Sequence, residues 1–97
     1  MVVGILTVDL SIPYLENIKE RRNVIRSIKD MIRNKFNVSV SDVTETEEIT
    51  PRATLAVAAV SGDAGHLQSV LGNVFNLIES FHADKILSYK TDFMQYE

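Results

Sequence analysis

The chain has 97 residues and a formal net charge of −3, with 45% hydrophobic and 24% charged residues. This size and composition fit a single globular domain spanning residues 1–97. Cysteine is absent, which excludes disulfides and thiolate metal sites and agrees with a reducing compartment. We find neither an apolar run that could span a membrane nor a signal-peptide pattern, so we expect a cytoplasmic protein without a membrane partner.

The first predicted element is a strand over Val2 to Leu10. Both faces of its first half are apolar, which predicts a central position in a sheet. Ser11 to Glu16 contains Pro13 and is predicted to be a connecting loop.

Asn17 to Asn37 predicts a basic amphipathic helix that holds seven of the ten Lys and Arg residues. Asn17 can cap the first amides, with Glu20 as the reciprocal half of a capping box. Apolar residues recur at the helical period at Ile18, Ile25, Ile28 and Ile32. Residues 19–35 carry a net charge of +5 and the remainder −8, so the charge distribution is bipolar.

Five cations of this helix form what we call the basic lane. At about 100° per residue they fall in one sector beside the apolar stripe: Lys19, Arg22, Arg26, Lys29 and Arg33. Aligned cations can follow a phosphate backbone without reading bases. The competing interpretation is a solvated helix flank, partly paired with acidic neighbours. Arg21 projects into the apolar sector and needs a partner or an exit to solvent.

The rest of the chain predicts three more strands and a second helix. The strands are Val38 to Val43, Ala53 to Val60 and Asp84 to Phe93, and the helix is Ala64 to Phe81. Asp63 is a capping signal for this helix. Its apolar stripe comprises Leu67, Val70, Leu71, Val74, Ile78 and Phe81.

The element order βαββαβ predicts an α+β, ferredoxin-like fold. The sheet is antiparallel with strand order 4-1-3-2, and both helices cover one face. This topology places at one edge Asp9, Arg21, Glu45, Glu47, Glu48, Arg52 and Asp84. A compensating set of salt bridges is the favoured interpretation, and a catalytic carboxylate site is the alternative. Thr44 to Pro51 is predicted to be an acidic hairpin connection between the second and third strands. Its acids can neutralise Lys19, Arg21 and Arg22, which leaves Arg26, Lys29 and Arg33 as the cations expected to be free.

The face of the sheet without helices, which we call the open face, is predicted to be apolar. It carries Val3, Ile5, Thr7, Thr54, Ala56, Ala58 and Val60. Monomers seldom expose such a patch, so we expect homodimerisation or a partner there. The patch lacks the aromatic pair on which sheet proteins stack RNA bases.

Catalytic and ligand motifs are weak throughout the chain. The turn SGDAGH lacks a phosphate-loop lysine and a dinucleotide fingerprint, and His66 and His82 lie at opposite ends of one helix. We therefore expect no catalytic residues, no metal and no cofactor, and the protein is not predicted to be an enzyme.

Three segments carry a resemblance to a known family. The segments NIKERRNVIRSIKDMIRNKFNVSVSDV, PRATLAVAAVSGDAGH and IES resemble the YlxP-like family of small bacterial proteins of unknown function, from Asn17 to Ser80. The resemblance implies a ferredoxin-like fold. Genes of this family commonly lie beside those of translation initiation factor two and ribosome-binding factor A, which implies an RNA or ribosome partner.

Three functions follow as hypotheses. The leading one is an RNA-contacting or ribosome-associated module that uses the basic lane. The second is a homodimeric protein-interaction module that uses the open face, and the third is a small-molecule sensor.

Overall fold

Two ten-residue strands, β1 (Val2–Ser11) and β3 (Arg52–Ser61), pair antiparallel at the centre of the sheet. Their central position is the one predicted from the apolar residues on both faces of β1. The structure is a computed structural model, and it describes residues 1–12, 18–45 and 51–97.

The other elements complete the predicted βαββαβ order. They are α1 (Ile18–Lys35), β2 (Ser39–Asp42), α2 (Ala64–His82), a 3-10 turn (Ala83–Lys85) and β4 (Ile86–Gln95). The strands form one antiparallel sheet in the order β2-β3-β1-β4. This is the predicted order read from the opposite edge, and the ferredoxin-like architecture is confirmed.

The core lies between the sheet and the two helices. Alternate residues of β1 and β3 face the helices and are buried, including Leu6, Val8, Leu55 and Val57. The helices contribute Ile25, Ile28 and Ile32 from α1 and Leu67, Leu71, Val74, Leu77 and Ile78 from α2. Neither of these two helices is long and apolar enough to cross a bilayer.

The end of α2 differs from the prediction. Phe81 continues the apolar period but is 66% exposed, whereas Leu77, which the predicted stripe omitted, is buried. Asp84 belongs to the 3-10 turn, so β4 begins two residues later than predicted and extends to Gln95. Periodicity gives the direction of a side chain, but it does not show where the opposing layer ends. The predicted cap at Asn17 lies outside the described residues.

Close packing of α2 on β1 depends on Gly4. A Cβ at this position would lie 2.8 Å from Leu71 Cδ1 and 2.9 Å from Leu67 Cδ2. Any larger side chain must therefore displace α2 or distort these two leucines.

We expect Gly4→Leu to lower the free energy of unfolding by about 1–3 kcal/mol, the usual cost of overpacking a core. Gly72→Leu is the matched control, because Gly72 is exposed on α2 and a Cβ there meets nothing within 4 Å. The control should be neutral or stabilising, since leucine favours helices over glycine by up to about 1 kcal/mol. Urea denaturation measures both, and equal destabilisation by the two variants would contradict the packing described.

Candidate nucleic-acid interface

The start of α1 is fixed to the sheet by Arg21. Its Nη1 lies 3.2 Å from Asp42 Oδ2, and the two side chains are 14% and 26% exposed. Its Nη2 donates to Thr44 Oγ1 at 3.0 Å and to the carbonyl of Arg52 at 3.3 Å. One guanidinium thus joins α1 to the end of β2, to the segment after it and to the start of β3. The partner that Arg21 requires is Asp42, which is not among the neighbours predicted for Arg21 from the topology.

Thr44 completes this network, which we call the Arg21 junction. Asp42 Oδ1 accepts from the Thr44 amide at 3.0 Å and from its hydroxyl, and Thr44 Oγ1 accepts from the Thr54 amide at 3.0 Å. Burial of Asp42 opposes ionisation, but the bonds from Thr44 and Arg21 outweigh it and lower the pKa of this carboxyl below its usual value. Asp42 is therefore an ionised partner of Arg21 at neutral pH.

A second cation of α1 is also engaged. Arg33 Nη2 donates to the carbonyl of Val40 in β2 at 2.8 Å. The expectation that Arg33 is free is therefore wrong, because its long side chain reaches the backbone of the neighbouring edge strand. This bond ties the last turn of α1 to β2, as the Arg21 junction ties the first.

The other four residues of the basic lane lie on the outer side of α1. Lys19, Arg22 and Arg26 are exposed and Lys29 is half-buried, and within the described residues none of the four side chains has a hydrogen bond or an ion pair. From Lys19 to Lys29 the helix rises about 15 Å. Three of these cations line a groove of about 160 Å³ beside β2, together with Ile25 and Asp42.

The acids expected to neutralise this end of the helix contribute little in the part of the chain described. Glu45 forms no ion pair there, and Glu47 and Glu48 lie outside the described residues. The acid in the groove is Asp42, and its charge is already compensated by Arg21. The groove therefore keeps a local excess of positive charge although the whole chain carries −3.

The predicted cluster of charges at one edge is divided by the sheet. Asp9 lies on the open face, where it accepts from Thr54 Oγ1 at 2.7 Å and Ser88 Oγ at 3.0 Å. These two bonds lower the pKa of Asp9, with smaller help from Arg52 and Lys90. Arg21 lies on the helix side, and Asp84 pairs locally with Lys85 at 3.6 Å. Asp9, Arg21 and Asp84 therefore do not form one site.

The side chains predicted for the open face share the side opposite the helices. Cross-strand pairs align Val3 with Val60, Ile5 with Ala58 and Thr7 with Ala56. Most of these residues are half-buried, and Val60 is 64% exposed. Sequence reasoning missed Met94, which joins the patch from β4 opposite Val3. The alternation along β4 would have placed it there had the strand been extended past Phe93.

The turn before α2 is a helix cap. Asp63 Oδ1 accepts from the amides of Gly65 at 2.8 Å and His66 at 3.4 Å. This confirms the capping role predicted for Asp63. His82 lies at the other end of α2, where burial, and less strongly Lys85, lower its pKa.

The fold belongs to the ferredoxin-like class, with the basic lane on one of the two helices that cover its sheet. The chain belongs to the family described as "Protein of unknown function (DUF503)", whose sequence model matches residues 3–91. It is 34% identical over 65 residues to the uncharacterized protein YlxP of Bacillus subtilis (strain 168), an alignment that covers 67% of this chain and 70% of that protein. The resemblance stated from the sequence is confirmed.

Solved structures agree on the fold. A ferredoxin-like protein of the DABB family from Mesorhizobium loti has a TM-score of 0.58 at 6% identity, covering 99% of this chain and 97% of that one. A dimeric protein of unknown function from Bacteroides fragilis has a TM-score of 0.55 at 13% identity, covering 98% and 95%. The designed protein Foldit4 has a TM-score of 0.56 at 13% identity, covering 99% and 98%. At these identities the similarity concerns the fold alone.

We expect Asp42→Asn to lower the free energy of unfolding by about 1–3 kcal/mol at neutral pH, because it leaves the part-buried Arg21 without a charged acceptor. The bonds from Thr44 and Arg21 hold the folded-state pKa of Asp42 below its unfolded-state pKa, so the ionised form of Asp42 stabilises the fold above the unfolded-state pKa. That stabilisation is lost as the pH falls through the folded-state pKa.

The stability difference between wild type and Asp42→Asn should therefore be constant above about pH 5 and shrink below about pH 4. Urea denaturation across this range measures it. Asp30→Asn, at an exposed position of α1, is the control and should change stability by no more than about 0.5 kcal/mol. A difference that persists unchanged in acid would contradict the role given to the Asp42 carboxylate.

Proposed function

We propose that this chain is a non-enzymatic RNA-contacting module that binds the phosphate backbone through Lys19, Arg22, Arg26 and Lys29. One observation carries the proposal. These four cations face outward from α1 without partners in the described part of the chain, whereas Arg21 and Arg33 of the same helix are engaged with the sheet. The helix thus separates cations that hold the fold from cations available to a ligand. The RNA or ribosome partner implied by the family resemblance agrees with this assignment.

Backbone contact is favoured over base recognition. On the open face, the central strands carry Val3, Ile5, Ala56 and Ala58, and these aliphatic side chains provide no stacking platform for bases. Lys and Arg on a helix surface instead meet phosphate oxygens, which are the same for every sequence. We therefore expect binding that depends little on RNA sequence.

The net negative charge of the chain limits the distance over which RNA is attracted to it. A net charge of −3 opposes attraction at long distance, but charges farther apart than about 10 Å are largely screened at 0.1 M salt. The local cations of α1 therefore decide contact at close approach. Affinity should be modest and fall steeply as salt rises.

The first test compares two double variants that remove the same charge. Four phosphate contacts to a single strand predict a slope of about −2.8 for log K against log salt, and two contacts about −1.4. Arg22→Ala/Arg26→Ala should therefore weaken RNA binding and roughly halve the slope, measured by fluorescence anisotropy with a labelled oligonucleotide.

Lys35→Ala/Lys85→Ala is the matched control, because these lysines lie outside the groove beside β2. It should leave the slope close to that of wild type. Equal weakening by both double variants would indicate a nonspecific charge effect. A wild-type protein that does not bind RNA at low salt would remove the proposal altogether.

A second candidate function is a homodimeric interaction module that packs through the open face. The observation in its favour is an apolar patch on β1 and β3 that Met94 of β4 extends, in which Val60 is 64% and Met94 39% exposed. Patches of this kind often mark protein interfaces.

Ala58→Glu tests this candidate by placing a charge at the centre of the open face. Ala58 is half-buried between Ile5 and Ser39, so an unpaired carboxylate there should prevent two such faces from packing together. If two chains associate through the open face, sedimentation equilibrium should report dimeric wild type and a monomeric variant. A variant that associates as tightly as wild type would exclude this interface.

A further inference from the structure

β4 forms the edge of the sheet opposite β2, and this edge is long and poorly covered. Among the described residues, β1 is the strand that pairs with β4, from Ile86 to Gln95, and the other side of β4 has no strand beside it. Tyr96 continues the pairing with a hydrogen bond of 2.8 Å from its amide to the Met1 carbonyl. β4 also exposes large side chains, among them Leu87, Tyr89, Phe93 and Met94. An extended edge of this kind is a template for pairing with another strand.

If two copies of β4 pair antiparallel about a two-fold axis at Thr91, the side chains of one copy face complementary side chains of the other. In an antiparallel pair, hydrogen-bonded and non-hydrogen-bonded residue pairs alternate along the strands. A two-fold axis between two copies of β4 must therefore lie where one residue faces the same residue of the other copy. With the axis at Thr91, Lys90 faces Asp92 of the second copy, Tyr89 faces Phe93, and Ser88 faces Met94. Because the pairing is symmetric, the Lys90–Asp92 pair forms twice.

The two neighbouring registers are disfavoured by charge. An axis at Lys90 places two ammonium groups directly opposite each other, and an axis at Asp92 does the same with two carboxylates. Like charges in directly opposed positions destabilise a sheet, whereas opposite charges stabilise it. A charged side chain on an exposed edge usually prevents pairing. Here the Thr91 register turns the same two charges into attractive pairs.

The two sides of the strand support this register independently. Lys90 and Asp92 pair with Thr7 and Ile5, so they lie on the open face and their charges meet at the surface. Tyr89 and Phe93 lie on the helix side, where Phe75 of α2 already stacks on the Tyr89 ring with centroids 4.0 Å apart. Pairing at Thr91 would bring each Tyr89 against a Phe93 of the other copy. Aromatic cross-strand pairs add to the stability of such contacts.

We propose that β4 is a self-association edge, on which a second copy of this chain pairs antiparallel about Thr91 to form one eight-stranded sheet. The two-fold axis then stands perpendicular to the sheet, so all four helices lie on the same side. This interface is distinct from packing through the open face, which it leaves uncovered.

A charge-swap series tests the partner and the register together. Lys90→Asp and Asp92→Lys each create two like-charge pairs across the axis, and each should raise the dimer dissociation constant roughly ten-fold or more. The double variant Lys90→Asp/Asp92→Lys restores opposite charges in both pairs and should return the constant to within a few-fold of wild type. Analytical ultracentrifugation measures the constants, with circular dichroism to establish that each variant is folded.

Three outcomes would overturn the proposal. They are a wild type that remains monomeric at high micromolar concentration, single variants that dimerise like wild type, and a double variant no tighter than the single ones. Ala58→Glu should leave the edge dimer intact. Loss of dimer in Ala58→Glu with no effect of the charge swaps would assign association to the open face instead.

Cross-linking provides a second measurement that does not depend on charge. The chain has no cysteine, and Thr91 faces itself only in this register, with Cβ atoms about 5 Å apart as in directly opposed sheet residues. Thr91→Cys should therefore form a disulfide-linked dimer under mild oxidation. Val60→Cys, an exposed position on the open face, should link much more slowly, and faster linking at Val60 than at Thr91 would contradict edge pairing.

Discussion

The Arg21 guanidinium is the interaction on which the geometry of the candidate site depends. It leaves the apolar side of α1 and meets Asp42, Thr44 and the carbonyl of Arg52, so one side chain joins the helix to β2, to the following segment and to β3. With Ile25, Ile28 and Ile32 buried on the same helix, this junction fixes the rotation of α1 about its axis. The rotation in turn decides which cations reach solvent.

The two helices and the long strands could be predicted because each carries a period that repeats over about ten residues or more. The strand order could be predicted because the element order βαββαβ restricts the topology. The partners of long side chains could not. Arg21 pairs with Asp42, which reads in the sequence only as the polar end of a short strand, and Arg33 reaches the Val40 carbonyl, for which a sequence contains no signal. The sequence therefore predicted the side of α1 on which the basic lane lies. It could not predict which of these cations contact the sheet, because those contacts depend on the three-dimensional arrangement. For the same reason, the strand order placed Asp9 and Arg21 at one edge without showing that the sheet separates them.

The two edges of the sheet have different chemistry. At the β2 edge, α1 presents Lys19, Arg22, Arg26 and Lys29 beside a groove. At the β4 edge, alternating charged and aromatic residues are exposed on a strand that has one neighbour in the sheet. Contact with RNA at the first edge and self-association at the second would therefore not compete for surface. An edge dimer would carry two basic lanes on the same side of one sheet, which would increase the avidity for a long RNA.

The proposed contact joins phosphate groups to the cations of α1 that have no partner among the described residues. Nuclear magnetic resonance titration of isotope-labelled protein with a single-stranded RNA oligonucleotide at low salt tests it most directly, because each amide reports contact at its own position. If these cations bind phosphate groups, chemical-shift changes should be concentrated between Lys19 and Lys29 and disappear as salt is added. Changes concentrated on the open-face strands, or the absence of changes anywhere, would contradict it.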